Sequence, residues 1–258
     1  MYLYNKIGYS YDATRHPDPY IVQRLVYHLK VNPSYKYIDI ACGSGNYTSA
    51  IADMGAHMYG IDVSSIMIDT AKAKTDKVRW FVGEAEKLPF SDDSFGGSIC
   101  TLAVHHFASL QLAFNEAFRV IEKGAFVIFT STREQMRNYW LNEYFPKAMN
   151  ASIKQMPSFS EIKQSLENVG FSSLYTEIYN VENDLQDLFL YSGKNRPEIY
   201  LDSRIRSGIS TFASLADEVE VNMGCERISM DIESGRIHKV VESSISNIGD
   251  YMFFVANK

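Results

Sequence analysis

Short apolar runs alternate with amphipathic stretches along the first half of the chain. The apolar runs have strand length, and they predict five strands at residues 36–41, 57–61, 78–82, 98–103 and 125–130. Several of the stretches between these runs carry apolar residues at helical spacing. Because parallel strands need long crossover connections that are usually helical, this alternation predicts a parallel sheet flanked by helices.

Capping residues predict where several of the helices begin. Asp18 is followed by Pro19, and this pair predicts an opening helix, since Asp is a preferred N-cap and Pro suits the first helical position. Ser109 is expected to cap the helix before the fifth strand. Ser158 and Glu161 have the spacing of a capping box and predict a further helix.

The second half of the chain is less regular. Residues 133–150 are rich in aromatic side chains and are predicted to be helical, and two more strands are predicted at residues 171–179 and 251–256. We therefore expect a Rossmann-like α/β fold, with a seven-stranded, mostly parallel sheet that ends in an antiparallel hairpin. We divide the chain into a core with the N-terminal helix, an inserted cap and a last core strand, at residues 1–180, 181–250 and 251–258.

Composition limits the partners and the compartment. The 258-residue chain has a formal net charge of −6, which disfavours nucleic acid and anionic membranes, since both bind basic surfaces. Three widely spaced cysteines favour a reducing compartment, and the N-terminus lacks the pattern of a signal peptide. Every apolar run is shorter than a membrane span. We expect a cytoplasmic protein without membrane insertion; the sequence does not indicate an oligomeric state.

The most informative run is residues 37–45, in which an apolar strand leads into Gly43-x-Gly45 and then into a helix. Glycines in such a turn let a ligand approach the backbone, and the helix N-terminus presents N–H groups to it. The third glycine of the dinucleotide-binding fingerprint is absent, because the motif leads to Thr48. Asp39 also lies inside the strand, four positions before Gly43.

A carboxylate at the tip of the second strand predicts a nucleoside site. Asp62 ends the predicted strand, where an acidic group can accept hydrogen bonds from ribose hydroxyls, as in NAD or S-adenosylmethionine. The alternative is that Asp62 caps the helix that begins near Ser64. Glu86, Asp92 and Asp93 are interpreted as a solvated loop, and no His, Cys and Asp cluster has convincing metal-ligand spacing, so no metal is expected.

These motifs together resemble the class I S-adenosylmethionine-dependent methyltransferases, particularly the small-molecule subgroup of the ubiquinone/menaquinone-biosynthesis type. The resemblance covers roughly residues 9–131. It depends on motifs in family order at residues 39–45, 60–64, 83–90 with Phe95, 105–107 and 116–121. The chain departs from the family at residues 122–125, which read Glu-Lys-Gly-Ala where relatives usually have Lys-Pro-Gly-Gly.

The resemblance implies S-adenosylmethionine as the cofactor and S-adenosylhomocysteine as the product. Asp39 would face the methionine amino group and Asp62 the ribose, while Glu84 would face the adenine amine. Tyr11 and Arg15 would close over the methionine carboxylate, as a matching N-terminal motif does in some relatives. The full implied set is Tyr11, Arg15, Asp39, Ala41, Gly43, Ser44, Gly45, Asp62, Val63, Glu84, Ala85, Leu102 and His106.

The expected reaction is an in-line displacement in which an acceptor nucleophile attacks the cofactor's methyl carbon. His106 is the candidate general base, since His titrates near neutral pH; His105 either supports the loop or contacts the acceptor. Aromatic residues 139–145 and the cap are the other candidate acceptor contacts, and each could instead be ordinary packing. The candidate acceptor-binding residues are His105, Trp140, Tyr144, Tyr191 and Arg206.

Two other functions remain open at this point. An NAD-dependent oxidoreductase would share the glycine turn and the acidic strand tip, although the missing third glycine counts against it. A non-catalytic partner subunit would retain the cofactor site but would have no connected acceptor cavity. The same fold hosts other chemistry, so the fold alone does not establish methyl transfer.

Overall fold

The computed structural model describes residues 14–258, so Tyr11 lies outside the described residues. The strands are β1 Lys36–Ile40, β2 His57–Asp62, β3 Arg79–Val82, β4 Gly97–Thr101, β5 Ala125–Thr130, β6 Ser172–Tyr179 and β7 Tyr251–Asn257. The helices are α1 Pro19–Leu29, α2 Asn46–Asp53, α3 Ser65–Lys74, α4 Leu110–Val120, α5 Arg133–Met136, α6 Leu141–Tyr144, α7 Pro146–Gln155, α8 Phe159–Val169, α9 Ser203–Ser207, α10 Glu218–Glu233 and α11 Arg236–Ser243.

The seven strands form one sheet in the order β3-β2-β1-β4-β5-β7-β6. Strands β1 to β5 run parallel to one another, whereas β7 runs antiparallel between β5 and β6. The predicted α/β fold with a terminal antiparallel hairpin is therefore confirmed, with strand ends that differ by one or two residues. An antiparallel strand at this place also departs from the all-parallel 3-2-1-4-5-6 order of dinucleotide-binding folds.

The predicted helix starts have the expected capping bonds. The Asp18 side chain accepts hydrogen bonds from the backbone N–H groups at the start of α1, and Pro19 is the first residue of that helix. Ser109 caps α4. Ser158 and Glu161 form both bonds of a capping box at α8. Side-chain oxygens thus satisfy backbone donors that have no partner within the helix.

Period-two alternation divides the core between the two faces of the sheet. In β5, Val127 and Phe129 pack with α1 and the cap on one face. Phe126 and Ile128 pack with α4 and α8 on the other. Since successive strand side chains point to opposite faces, a strand buried on both faces is a nearly continuous apolar run, as β5 is up to Phe129.

The aromatic stretch at residues 133–150 is not the single helix that its composition predicts. It forms three short helices, α5, α6 and the start of α7. Pro146 is the first residue of α7, and Phe145 before it has φ −130° and ψ 58°, outside the helical region. A residue before proline is disfavoured in the α conformation, so the chain breaks at this point.

Residues 180–250 connect β6 to β7 and contain helices α9 to α11. Tyr200, Phe212 and Ile228 of this connection are buried in the same cluster as the aromatic side chains of residues 139–145. We call residues 181–250 the cap. Within residues 14–258, no helix is both long and apolar enough to cross a bilayer.

Candidate functional site

A cavity of about 470 Å³ opens at the carboxyl ends of the parallel strands β1 to β4. We call it the cofactor cavity. Its volume lies within the range of about 300–1,000 Å³ that is typical of small-ligand sites. Open α/β sheets bind ligands at this edge, where the strand order reverses. The structure brings together at its wall these residues that the sequence singled out: Arg15, Asp39, Ala41, Gly43, Ser44, Asp62, Val63, Glu84, Ala85, Leu102 and His106.

The glycine turn is held in place by the acidic tip of β2. Asp62 accepts a hydrogen bond from the backbone N–H of Gly43 at 2.9 Å and another from that of Ser64 at 2.8 Å. Ser64, not Asp62, is the N-cap of α3. Lys74 donates to the carbonyl of Ser44 at 2.8 Å from the other side of the turn. Burial raises the pKa of Asp62, and the two backbone bonds oppose that rise.

The two glycines of the turn have different roles. Gly43 has φ +56°, and an added Cβ would meet nothing within 4 Å, so its backbone faces open space in which a ligand fits. Gly45 is not in the described wall of the cavity. A Cβ on Gly45 would come within 2.2 Å of the Trp80 ring, and its φ is +75°. Packing against Trp80 and a left-handed backbone therefore account for the glycine at position 45. The glycine motif predicts a ligand contact there and gives no sign of the contact with Trp80.

Asp39 is a buried carboxylate with one oxygen unpaired. Its Oδ2 accepts a hydrogen bond from the Thr48 hydroxyl at 2.6 Å, while Oδ1 has no partner within the described chain. Burial raises the Asp39 pKa to about 7, against the hydrogen bond from Thr48, and the charge of Asp62 raises it further. A cation beside Oδ1 would satisfy the unpaired oxygen, so the site fits the amino group that the resemblance assigns to it.

Two wall residues other than glycine have left-handed backbones. Ala41 has φ 60° after β1, and Leu102 has φ 55° after β4. Positive φ is uncommon for residues with a Cβ, and such conformations cluster at functional sites. Both residues border the cofactor cavity at neighbouring strand ends, which agrees with a ligand site at this edge.

The histidine pair lies in the short 3₁₀ turn Val104–His106 after β4. The imidazole rings of His105 and His106 have centroids 3.9 Å apart. His106 borders the cofactor cavity, where partial desolvation lowers its pKa to about 4. A group with that pKa is a weak base at pH 7, which argues against His106 as a general base. Burial and the neighbouring His106 lower the pKa of His105 as well.

Glu86 has a structural role at the cofactor cavity that its polar neighbours in the sequence do not indicate. The sequence places it in a solvated loop, but in the structure it borders the cofactor cavity. Its carboxylate accepts a hydrogen bond from the backbone N–H of Ala108 at 2.7 Å. This bond ties the loop after β3 to the start of α4, and so fixes two walls of the cavity relative to each other.

Arg15 pairs with the cap. Its guanidinium donates to both carboxylate oxygens of Asp187, at 2.5 and 3.1 Å, and the Tyr47 hydroxyl donates to the same carboxylate at 3.0 Å. Leu188 next to Asp187 also donates to the carbonyl of Thr14 at 3.1 Å. Asp187 therefore largely neutralises the positive charge of Arg15, the residue that the resemblance assigns to the methionine carboxylate of the cofactor. These partners lie 172 residues apart, and no local pattern marks Asp187.

A smaller cavity, of about 70 Å³, lies between the cofactor cavity and the cap. We call it the inner cavity. It shares Arg15 and Leu102 with the cofactor cavity, and His105 also lies in its wall. The rest of the wall combines apolar and hydroxyl side chains from β5, α5, α7, β7 and the cap: Thr130, Ser131, Met136, Ser152, Met156, Phe189, Leu190, Ile209, Ser210, Thr211 and Tyr251.

Four candidate acceptor contacts do not reach either wall within residues 14–258: Trp140, Tyr144, Tyr191 and Arg206. The Trp140 indole donates to the carbonyl of Lys194, and the Tyr144 hydroxyl donates to Asp231. Tyr191 stacks on Tyr139 with ring centroids 3.8 Å apart.

Arg206 likewise has a partner inside the cap, since its guanidinium donates to the carbonyl of Tyr200 at 2.5 Å. All four side chains therefore join parts of the cap to one another or to α5–α7. The inner cavity is lined instead by residues that lie close in sequence to Tyr191 and Arg206, namely Phe189, Leu190 and Ile209.

Within residues 14–258, no group of three or more His, Cys, Asp or Glu side chains is placed to hold a metal ion.

Comparison with known proteins identifies relatives of this chain. A family described as a methyltransferase domain matches residues 38–129. The crystal structure of a putative methyltransferase from an antibiotic biosynthesis pathway of Anabaena variabilis ATCC 29413 is 32% identical, with 94% of this chain and 98% of that chain covered and a TM-score of 0.84. A demethylmenaquinone methyltransferase of Paenarthrobacter aurescens is 24% identical, and the match covers 57% of this chain and 66% of that protein.

A more distant structure shares the fold. The geranyl diphosphate C-methyltransferase of Streptomyces coelicolor A3(2), solved with S-adenosyl-L-homocysteine, is 16% identical, with a TM-score of 0.56 over 92% of this chain and 75% of that one. The Anabaena protein matches over nearly the whole of both chains. The sheet order, the cavity at its carboxyl edge and this similarity together show that the chain belongs to the S-adenosylmethionine-dependent methyltransferase family.

Proposed function

We propose that this methyltransferase binds S-adenosylmethionine in the cofactor cavity and transfers its methyl group to a neutral small molecule whose reacting end occupies the inner cavity. The observation that carries the proposal is that Arg15 and Leu102 belong to the walls of both cavities. The two cavities are therefore adjacent, with only these two side chains shared between their described walls, which supports methyl transfer across this boundary. A non-catalytic binder would not need such an adjacent second cavity.

The cofactor would be held mainly by the strand tips. Asp39 would bind the amino group of the methionine part through its unpaired Oδ1, with the open backbone of Gly43 beside it. Asp62 would accept the ribose hydroxyls through lone pairs that its two backbone bonds leave free. Val63 and Ala85 would border the adenine, and Leu102 would border the sulfonium end.

When bound, S-adenosylmethionine supplies a methyl group that is activated by the positive charge on its sulfur. The acceptor's nucleophile attacks the methyl carbon as the carbon–sulfur bond breaks and its electron pair returns to sulfur. Alignment and exclusion of water are then the protein's main tasks. Five carboxylates and one guanidinium line the described wall of the cofactor cavity, and this negative excess favours a cationic ligand.

The lining of the inner cavity supports a neutral acceptor. Within residues 14–258, Arg15 is the only permanently charged side chain in its wall, and Asp187 already pairs with it. Ser152 and Thr211 hydrogen bond to each other at 2.9 Å, which leaves hydroxyl capacity for one polar group of the acceptor. An unpaired carboxylate or ammonium would be costly to bury there. The demethylmenaquinone methyltransferase among the relatives is in keeping with a small-molecule substrate.

A cytoplasmic location and the lack of a nucleic-acid partner stay predictions.

A transfer assay tests the proposal directly. The protein is incubated with S-adenosylmethionine labelled in its methyl group and with fractions of a metabolite extract, and low-molecular-weight products are separated and counted. We expect label in a small organic product, and much less of it with the Asp62→Ala variant at the same cofactor concentration. Label confined to protein or RNA would contradict a small-molecule acceptor. Cofactor binding without transfer to any fraction would favour the non-catalytic subunit.

A further inference from the structure

The inner cavity is too small to enclose a whole acceptor of ordinary size. Its volume is about 70 Å³. Sites that bury most of a drug-sized ligand have about 300–1,000 Å³. The inner cavity therefore accommodates only the reacting end of such a molecule, and the remainder must lie elsewhere.

A larger groove borders the inner cavity, and it also meets the cofactor cavity at Phe107, which belongs to the walls of both. It has a volume of about 630 Å³ and lies between the 3₁₀ turn Val104–His106, the start of α4, the end of α7 and helix α8. We call it the outer groove. His105 and Met156 belong to the walls of both the outer groove and the inner cavity, so these two side chains separate them.

Both separating side chains can move without breaking a side-chain hydrogen bond. Met156 is 6% exposed, and its unbranched thioether chain adapts readily to its surroundings. His105 makes no side-chain hydrogen bond to any residue within 14–258, and its Nδ1 is buried without a partner. A change of rotamer at these two positions would join the outer groove to the inner cavity.

The outer groove is lined by neutral hydrogen-bonding groups. Its polar wall residues include Gln111, Gln155, Ser160, Gln164 and Ser165. Its two charged side chains within the described chain, Arg133 and Glu161, pair with each other at 3.3 Å. The groove therefore suits a ligand segment that is neutral and rich in hydrogen-bonding groups, and it offers no unpaired charge to a phosphate or carboxylate.

We propose that the outer groove is the entrance for the methyl acceptor and the subsite for its neutral, hydrogen-bonding remainder, which reaches the inner cavity past His105 and Met156. The proposal rests on the proposed function, because it takes the inner cavity as the place of methyl transfer. We therefore expect the acceptor to be an elongated molecule, with a compact reacting end and a polar, uncharged tail.

Thiol labelling tests the entrance without a known acceptor. The Ser152→Cys variant puts a thiol in the wall of the inner cavity, and its reaction with N-ethylmaleimide is followed by site-resolved mass spectrometry. Saturating S-adenosylhomocysteine closes the route through the cofactor cavity. We expect the reaction to continue in its presence and to slow about tenfold when Met156→Trp is added, because a larger ring fills the junction.

Two further variants control for misfolding and for location. Gln164→Trp, at an exposed wall of the outer groove, should also slow the reaction, although it replaces no core residue. Lys163→Trp, at an exposed position of α8 next to Gln164 but outside the described walls of all three cavities, should leave the rate unchanged.

The proposal is overturned if S-adenosylhomocysteine alone stops the labelling, or if Met156→Trp and Gln164→Trp both leave its rate unchanged. Failure of the proposed function would look different. Labelling through the outer groove would then persist, while no metabolite fraction would accept a methyl group.

Discussion

The cofactor cavity and the inner cavity differ in the side chains that line them. Five carboxylates and one guanidinium line the described wall of the first, which is built largely from strand tips. The second is lined by hydroxyl and apolar side chains, with Arg15 as its only permanently charged group in the described chain. If the proposed function is correct, charge selects the cofactor, whereas shape and neutral polarity select the acceptor.

The bonds at the strand tips and the bonds that join the N-terminal segment to the cap differ in range. At the strand tips, Thr48 and Asp39 are nine residues apart, and Gly43 and Asp62 are nineteen apart. Between the N-terminal segment and the cap, Arg15 reaches Asp187 across 172 residues, at another part of the cofactor cavity's wall. Changes in the cap should therefore disturb stability through long-range contacts, and changes at the strand tips should disturb cofactor binding.

The largest effect is expected from breaking the junction between the N-terminal segment and the cap. Asp187→Ala removes the partner of Arg15 and of Tyr47 and leaves a largely buried guanidinium without its counter-ion. Loss of one member of a buried ion pair typically costs about 3–5 kcal/mol. We expect a loss of that order in the free energy of unfolding, measured by urea denaturation.

A surface ion pair provides the matched control. Asp53 and Lys77 are 2.6 Å apart, and both side chains are 61% exposed. Asp53→Ala should change the free energy of unfolding by no more than about 0.5 kcal/mol, since exposed pairs contribute little. Equal losses in the two variants would contradict a structural role for the buried pair.

The next largest effect is expected at the tip of β2. Asp62→Ala removes the carboxylate that would bind the ribose, and it should weaken binding of S-adenosylhomocysteine by roughly 2–3 kcal/mol in calorimetry. Ser64→Ala is the control, because it removes the N-cap of α3 and keeps the carboxylate. It should cost about 1 kcal/mol of stability and leave affinity nearly unchanged. Unchanged affinity in a folded Asp62→Ala variant would leave Asp62 with a purely structural role.

A smaller effect is expected from the protonation of Asp39. Its pKa of about 7 lies above the ordinary value of 3.8. Between these two pH values, the carboxyl group of Asp39 is protonated in the ligand-free folded chain and ionised in the unfolded chain. This group's contribution to stability therefore falls as pH rises through that window. The cationic amino group of the ligand favours the carboxylate, so affinity for S-adenosylhomocysteine should rise from pH 6 to pH 8, by up to about tenfold per unit below the pKa.

The Asp39→Asn variant tests the origin of that pH dependence. It keeps the shape of the side chain and cannot ionise, so the pH dependence of affinity should flatten. Asp62 also has a raised pKa and remains in this variant. An unchanged slope in Asp39→Asn would assign the pH dependence to Asp62 instead.

The smallest effect is expected at Arg206, inside the cap. Its guanidinium donates to a backbone carbonyl of the cap and lies in neither cavity wall of the described chain. Arg206→Ala should cost about 1 kcal/mol of stability, the usual contribution of one hydrogen bond, and should leave affinity for S-adenosylhomocysteine unchanged. A large loss of methyl transfer in a stable variant would mean that Arg206 contacts the acceptor.

The cofactor cavity could be predicted from the sequence because strand tips determine where its residues lie. A parallel strand that ends at Ile40 or Asp62 puts the next residues at the carboxyl edge of the sheet, whatever the rest of the chain does. The sequence indicated the cap as a pocket wall, but it singled out Tyr191 and Arg206 where Phe189, Leu190 and Ile209 line the cavity. An irregular segment has no fixed period, so the direction of its side chains depends on packing partners far away in sequence.

A crystal structure with S-adenosylhomocysteine bound would show whether the ligand lies as we propose. We expect the ribose hydroxyls on Asp62, the amino group beside Oδ1 of Asp39, and the sulfur against Leu102, facing the inner cavity. A ligand in the reverse orientation, or a sulfur walled off from the inner cavity by the cap, would contradict the proposal.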